Sequence, residues 1–212
     1  MPKLFSYKMT HDTGFAPNPF WGVLTLATCK PRIRSANTKD KGDWIAGFTS
    51  QALSGDSVGK ERLVYLMQIE EKIAFADYFA DPRFKCKIPK LEEAQCVYRA
   101  GDNIYRPKCS DPYDYDDFEQ ICNSYHCGTE KAKDLSGKFV LVSMRFYYFG
   151  KEAIVIPSNV RPDVPLGQSA HGVQTHDQNH AQNFINYIVN NWQKGVHGEP
   201  HSWPKGDSSW KE

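Results

Sequence analysis

Apolar and polar residues alternate over residues 3–9, with Leu4, Ser6 and Lys8 on one face and Phe5, Tyr7 and Met9 on the other. That period of two predicts a β-strand. The same reading predicts strands over 21–30, with Trp21, Val23, Thr25, Ala27 and Cys29 on one side, and over 43–49. Residues 62–70 (RLVYLMQIE) are apolar on both faces, as a central strand covered on both sides would be. Residues 72–80 carry Ile73, Ala76 and Ala80 at helical spacing and stop at Asp81-Pro82, where proline cannot extend a helix. A turn-rich region follows from 83 to 135, with one strand-like piece at 95–98 and a Gly101-Asp102 turn. Residues 138–149 (KFVLVSMRFYYF) read as the strongest strand. The clearest helix spans 177–192, with Thr175 as its expected N-cap and Phe184, Ile185, Ile188 and Trp192 as its apolar stripe. Strands without regular β–α alternation predict an α+β fold with a mixed, mostly antiparallel sheet and two or three helices packed on it.

Composition narrows the class. A chain of 212 residues fits one domain, here expected over 1–193, with 194–212 as a loosely ordered, Gly-, Pro-, Ser- and Lys-rich tail. Hydrophobic residues at 40% and aromatics at 13% describe a folded protein. The formal net charge of +1 provides no global field for polyanions, so nucleic-acid binding would need a local patch. The first residues show neither an export signal nor an apolar run long enough to span a bilayer. The expectation is a cytoplasmic protein without membrane contact, whose six cysteines are reduced thiols.

Reactive side chains concentrate in residues 11–49. A Gly- and Pro-containing loop carries His11 and Asp12 into a strand ending at Cys29 and Lys30. Lys30, Arg32, Arg34, Lys39 and Lys41 then form a basic cluster, and the planar guanidinium fork of Arg32 or Arg34 matches phosphate. Cys29 beside Lys30 is a candidate nucleophile that would need a base such as His11 or His126; a buried structural cysteine is the alternative. Cys109, Cys122, His126 and Cys127 offer four soft ligands, yet their spacing matches no standard zinc pair, and no metal is assigned. His176 and His180 share a helix face without the glutamate of a metalloprotease helix. Trp21, Trp44 and Tyr105 are candidates for stacking a base, the alternative being plain core.

The blocks YKMTHDTGFAPNPFWGVLTLATCKPRIR, GDWIAG, YLMQIEEKIAFADYFADPRF, GDNIY and FYYFG together resemble the nucleotide modification associated domain type two family over residues 3–190. The resemblance implies a role near modified nucleotides in DNA base modification and phage–bacterium conflict. It directs attention to Asp12, Cys29, Lys30, Arg34, Asp43, Asp102, His126 and His171. The middle and C-terminal parts also look similar to PUA-like domains, implying a strongly curved sheet or partial barrel. Three readings follow. The first is a domain processing a modified base or nucleotide, with Asp12 or His126 as acid/base, Cys29 as nucleophile and Lys30, Arg32 and Arg34 at phosphate. The second is a non-catalytic reader that holds a flipped base in an aromatic pocket. The third is a regulatory or assembly protein working with others of a defence operon. The expected partner is a modified nucleotide or nucleic acid, and no cofactor is named.

Overall fold

The computed structural model describes residues 2–167, 169, 171–204 and 209–211. In chain order the elements are β1 (Leu4–Lys8), β2 (Leu24–Leu26), α1 (Pro31–Arg34), β3 (Trp44–Phe48), α2 (Gln51–Ser54), β4 (Leu63–Gln68), β5 (Glu71–Ala74) and α3 (Phe75–Ala80). They continue with α4 (Cys96–Arg99), β6 (Tyr105–Pro107), β7 (Phe118–Gln120), α5 (Lys131–Leu135), β8 (Phe139–Ser143), β9 (Phe146–Tyr148), β10 (Val173–Thr175), α6 (Gln178–Asn191) and β11 (Gly195–Val196). The fold is mixed α+β.

The strands divide among three sheets. The largest has the order β10-β1-β3-β4-β9-β11, a second has β2-β8-β5, and β6 pairs with β7. Among the described residues only the β1–β3 and β9–β11 pairings are parallel. The strands are shared among three sheets, and no barrel closes among the described residues.

Alternation along each strand decides the layers. Leu4, Trp44, Ala46, Phe48, Leu66 and Tyr147 leave one face of the large sheet and pack on Ala181, Phe184, Ile185 and Ile188 of α6. Tyr7, Ile45, Tyr65, Met67, Phe146 and Tyr148 leave the other face and meet Leu24, Leu26 and Leu141 of the second sheet. Val23, Ala27, Val140 and Val142 on the far side of that sheet pack on Phe75 and Tyr78 of α3 and on Tyr105 and Phe118 of the two-stranded ribbon. Burying a side chain the size of Phe184 stabilises by about 1.5–3 kcal/mol, so the three apolar seams carry most of the stability.

The central strand over 62–70 is found as β4, flanked by β3 and β9 and buried on both faces. The 138–149 segment is not one strand. It splits into β8 and β9, which belong to different sheets. The turn between them is closed by Ser143, whose hydroxyl donates to Arg145 O, and by Glu70, whose carboxylate accepts from the Met144 and Arg145 amides. The expected 21–30 strand shrinks to three residues because Trp21, Cys29 and Lys30 all have positive φ. Residues 72–80 begin as strand β5 and become helical only at Phe75; residues 95–98 fall into helix α4 instead of a strand. The N-cap of α6 is Asp177, whose carboxylate accepts from the Asn179 and His180 amides, while Thr175 ends β10.

The segment after residue 194 is not loose over 195–204. β11 joins the edge of the large sheet. Trp203 is buried, stacks on Phe20 at 5.0 Å and donates its indole N–H to Thr13 O. Gly14 (φ 70°) accommodates this docking, since a Cβ there would lie 2.8 Å from Pro200.

Candidate functional site

Two consecutive non-glycine residues, Cys29 (φ 53°) and Lys30 (φ 40°), sit in the left-handed region just past β2. Such a backbone costs on the order of 1–3 kcal/mol per residue and persists only where neighbours enforce it. The enforcing group is Asp134 of α5, a buried carboxylate whose Oδ1 accepts the Cys29 N–H at 2.7 Å. The turn brings the Cys29 and Lys30 side chains to the wall of a cavity of about 340 Å3. Tyr7 and Met9 from the end of β1, Thr10, His11, Thr13, Phe15 and Ala16 from the following loop, and Tyr125 and His126 from a distant loop complete the lining. Cavities of roughly 300–1,000 Å3 are the usual size of small-molecule sites.

Asp134 reaches this cavity a second time. Its Oδ2 lies 2.7 Å from His126 Nε2 and accepts the Tyr105 hydroxyl at 2.8 Å. At that distance His126 Nε2 makes no aligned hydrogen bond, and the imidazole lies against Phe15, with ring centroids 5.2 Å apart. A histidine placed beside a buried carboxylate is a candidate for proton transfer. The Lys30 ammonium lies 4.6 Å from the Tyr7 ring centroid, and burial lowers its pKa. Burial, reinforced by the charge of Asp134, pushes the Cys29 thiol up to about 11. At neutral pH Cys29 is therefore a thiol and not a thiolate, the weaker form for nucleophilic attack. The cavity lining itself contains one lysine, two histidines and no carboxylate.

A family model described as nucleotide modification associated domain 2 matches residues 1–207. The chain belongs to that family. No curated protein and no solved structure matches it. The family match extends beyond the 3–190 resemblance and takes in the docked segment around Trp203.

Within this nucleotide modification associated domain, the cavity gathers Cys29, Lys30 and His126 from the sequence-derived candidates, with His11 beside them. The others lie elsewhere. Asp12 is buried behind the loop, where it accepts from the Tyr148 hydroxyl at 2.6 Å, the His201 amide at 3.1 Å and His201 Nδ1 at 2.8 Å. Arg34 is fully buried; its guanidinium donates to Cys29 O, Phe139 O and Asp134 O, which leaves it no phosphate to face. Arg32 is exposed on α1 and outside the cavity lining. Asp43 caps a turn by accepting the Lys3 and Asp40 amides. Asp102 is buried, accepts the Thr25 and Tyr78 hydroxyls, and has its pKa raised by that burial. His171 is exposed and outside the cavity lining.

Of the aromatic candidates, Trp44 and Tyr105 are core residues, because their strand positions face packed seams. Trp21 lines a separate cavity of about 480 Å3 with Phe20, Trp210 and Lys211. Two of the expected thiols are not reduced: Cys122 and Cys127 form a disulfide. That takes both from the four-ligand group considered for zinc, and no cluster of three or more metal-ligating side chains occurs among the described residues. His180 Nε2 instead meets Arg161 O at 2.6 Å. No helix among the described residues is long and apolar enough to cross a membrane. Asp134, Tyr125 and Phe15 are not singled out by the sequence; Asp134 sits in KAKDLSG, at the end of the stretch read as turn-rich.

Proposed function

We propose that this domain processes a nucleobase or nucleotide in the Cys29–His126 cavity, with His126, oriented by Asp134, passing a proton to or from the bound base. The single observation that supports this most is the buried carboxylate that both fixes the strained Cys29-Lys30 turn and holds the imidazole at the same cavity. The exposed ring of Tyr125 suits a stacked base, and Lys30 suits its phosphate. The family description, which names nucleotide modification, agrees with this use. Cys29 serves as a packing or orienting thiol in this reading, and the backbone amides of its turn matter more than its sulfur. A place among the proteins of a DNA-modification or phage-conflict operon extends the reading to its biological setting.

The test is a panel of canonical and modified nucleotides and oligonucleotides, followed by calorimetry and by mass change of the ligand. His126→Ala is expected to slow turnover by roughly 10²–10⁴-fold, the usual contribution of a positioned acid/base, with binding retained. Lys30→Ala is expected to weaken binding. Turnover untouched by His126→Ala sinks the assignment of the proton-transfer group. The second reading, a reader that holds a base without chemistry, is favoured by the Trp21 cavity. Binding that Trp21→Ala removes, with no mass change for any ligand, would establish it.

A further inference from the structure

The loop that supplies Tyr125 and His126 to the cavity is closed at its base by the Cys122–Cys127 disulfide. On its upstream side the chain is firmly seated. Ile121 N–H donates to Ile104 O at 2.8 Å, and the buried Asn123 side chain donates to Gly101 O at 2.6 Å and Arg99 O at 3.1 Å. On its downstream side the next element is α5, where Lys131 Nζ donates to Phe118 O and Asp134 is buried. Between these anchors the Tyr125 amide donates to Asn123 Oδ1 at 2.7 Å, and the other backbone ties are long. The reciprocal Asn123–His126 amide bonds measure 3.3 and 3.2 Å, and Gln120 Nε2 reaches His126 O at 3.4 Å. Cys127, Gly128 and Thr129 are exposed. The sulfur–sulfur bond is therefore the strongest tie on the C-terminal side of His126, and cutting it returns conformational entropy to the residues that wall the cavity.

We propose that Cys122–Cys127 is a thiol–disulfide exchange site whose redox state sets whether the His126 wall is in place, with a dithiol as the reacting partner. The inference rests on the reading of this cavity as the functional site. Both cysteines are exposed, so a thiolate of the partner reaches a sulfur of the bond directly. Attack gives a mixed disulfide and releases one protein thiol. The partner's second thiolate then closes its own disulfide and releases the other. Two electrons and two protons pass to the protein, and the dithiol is oxidised by the same amount. Cys29, whose burial keeps it a neutral thiol, does not compete in the exchange. In the oxidised form the loop presents His126 to Asp134 and Phe15; in the reduced form residues 124–130 keep only their non-covalent contacts and lose the covalent closure at Cys127.

The experiment compares the full chain before and after dithiothreitol, using hydrogen exchange by mass spectrometry and thiol alkylation. Air-equilibrated protein is expected to show Cys122 and Cys127 unalkylated. Reduction is expected to speed amide exchange over 124–128 by at least tenfold while the β4 amides of 63–68 stay protected. The Cys122→Ser, Cys127→Ser double variant should exchange like the reduced protein and ignore the reductant, and β4 protection reports that it has folded. Exchange over 124–128 that does not respond to reduction overturns the proposal, as does finding both thiols free in oxidised protein. Binding of 2′-deoxyadenosine 5′-monophosphate and of the modified nucleotides is measured in both states. Failure to bind in either state, with the exchange response intact, counts against the nucleotide reading and not against the switch.

Discussion

Arg34 shows how the same residue reads differently in one and three dimensions. An arginine in a basic cluster matches phosphate chemically, yet here three carbonyl oxygens take its donors, and Asp134 Oδ1 lies 4.0 Å away as a counter-charge. Burial lowers its pKa only to about 10, so it remains charged at neutral pH. Gly137 leaves room for it, since a Cβ there would lie 2.4 Å from Nη1. Arg34 thus ties α1 to α5 and β8, and Arg34→Ala strands several buried carbonyls together with part of the Asp134 charge. The expected loss is about 3–5 kcal/mol in urea unfolding, as for other broken buried pairs. A midpoint unchanged from the parent would contradict that role. Cys29, Lys30 and His126 were legible as candidates because their chemistry is intrinsic to the side chain. Asp134 was not, because its importance lies wholly in the partners gathered around it from residues 29, 34, 105 and 126.

At the scale of elements, strongly periodic segments were read well. The stripe of Phe184, Ile185 and Ile188 predicts α6, and the structure buries all three against the large sheet. The N-cap lies two residues later than expected because Thr175 and Asp177 are both good caps. Pairing with Leu4 draws Thr175 into β10 and leaves Asp177 at the helix end. Asp177→Ala is expected to cost about 1 kcal/mol, measured as a lower thermal midpoint, whereas Thr175→Ala should not fray the helix. Equal fraying of α6 in both variants, followed by amide exchange, would refute this assignment of the cap. The 138–149 run was harder. Its break at Met144-Arg145 contains neither glycine nor proline, and the carboxylate that accepts those amides comes from Glu70, far away in the chain.

At the scale of the whole molecule, the layered seams bury many groups in their neutral form. Burial raises the pKa of Tyr7, Tyr65, Tyr78, Tyr105 and Tyr148 above the ordinary tyrosine value, and that of Cys29 from 9.0 to about 11. The folded protein therefore holds these protons at pH values where the unfolded chain has lost them. Their contribution to stability is complete below about pH 9 and is lost as pH rises beyond it. Lys87 works in the opposite sense. Its ammonium is surrounded by oxygens of Asn18, Phe20 and Val23, but burial lowers its pKa to about 8, so its own contribution grows with pH from 8 to 10.5. Burial also lowers the pKa of Lys30, Lys39 and Arg34, which work in the same sense as Lys87. With these four groups against six, the urea midpoint is expected to fall between pH 9 and 11. A midpoint that is level or rising over that interval would be incompatible with this burial pattern.

The sequence by itself determined the α+β class, the buried central strand, the long amphipathic helix, the family, and the stretch in which cavity-lining side chains begin. These rest on periodicity and side-chain chemistry, which are local properties. Tertiary structure alone decided which strands share a sheet and which polar residues became core. It also joined Cys29 and Lys30 to His126, through a carboxylate more than a hundred residues from the turn it holds. Those outcomes depend on contacts between distant segments, and a linear pattern carries no record of which donor will meet which acceptor once the layers close.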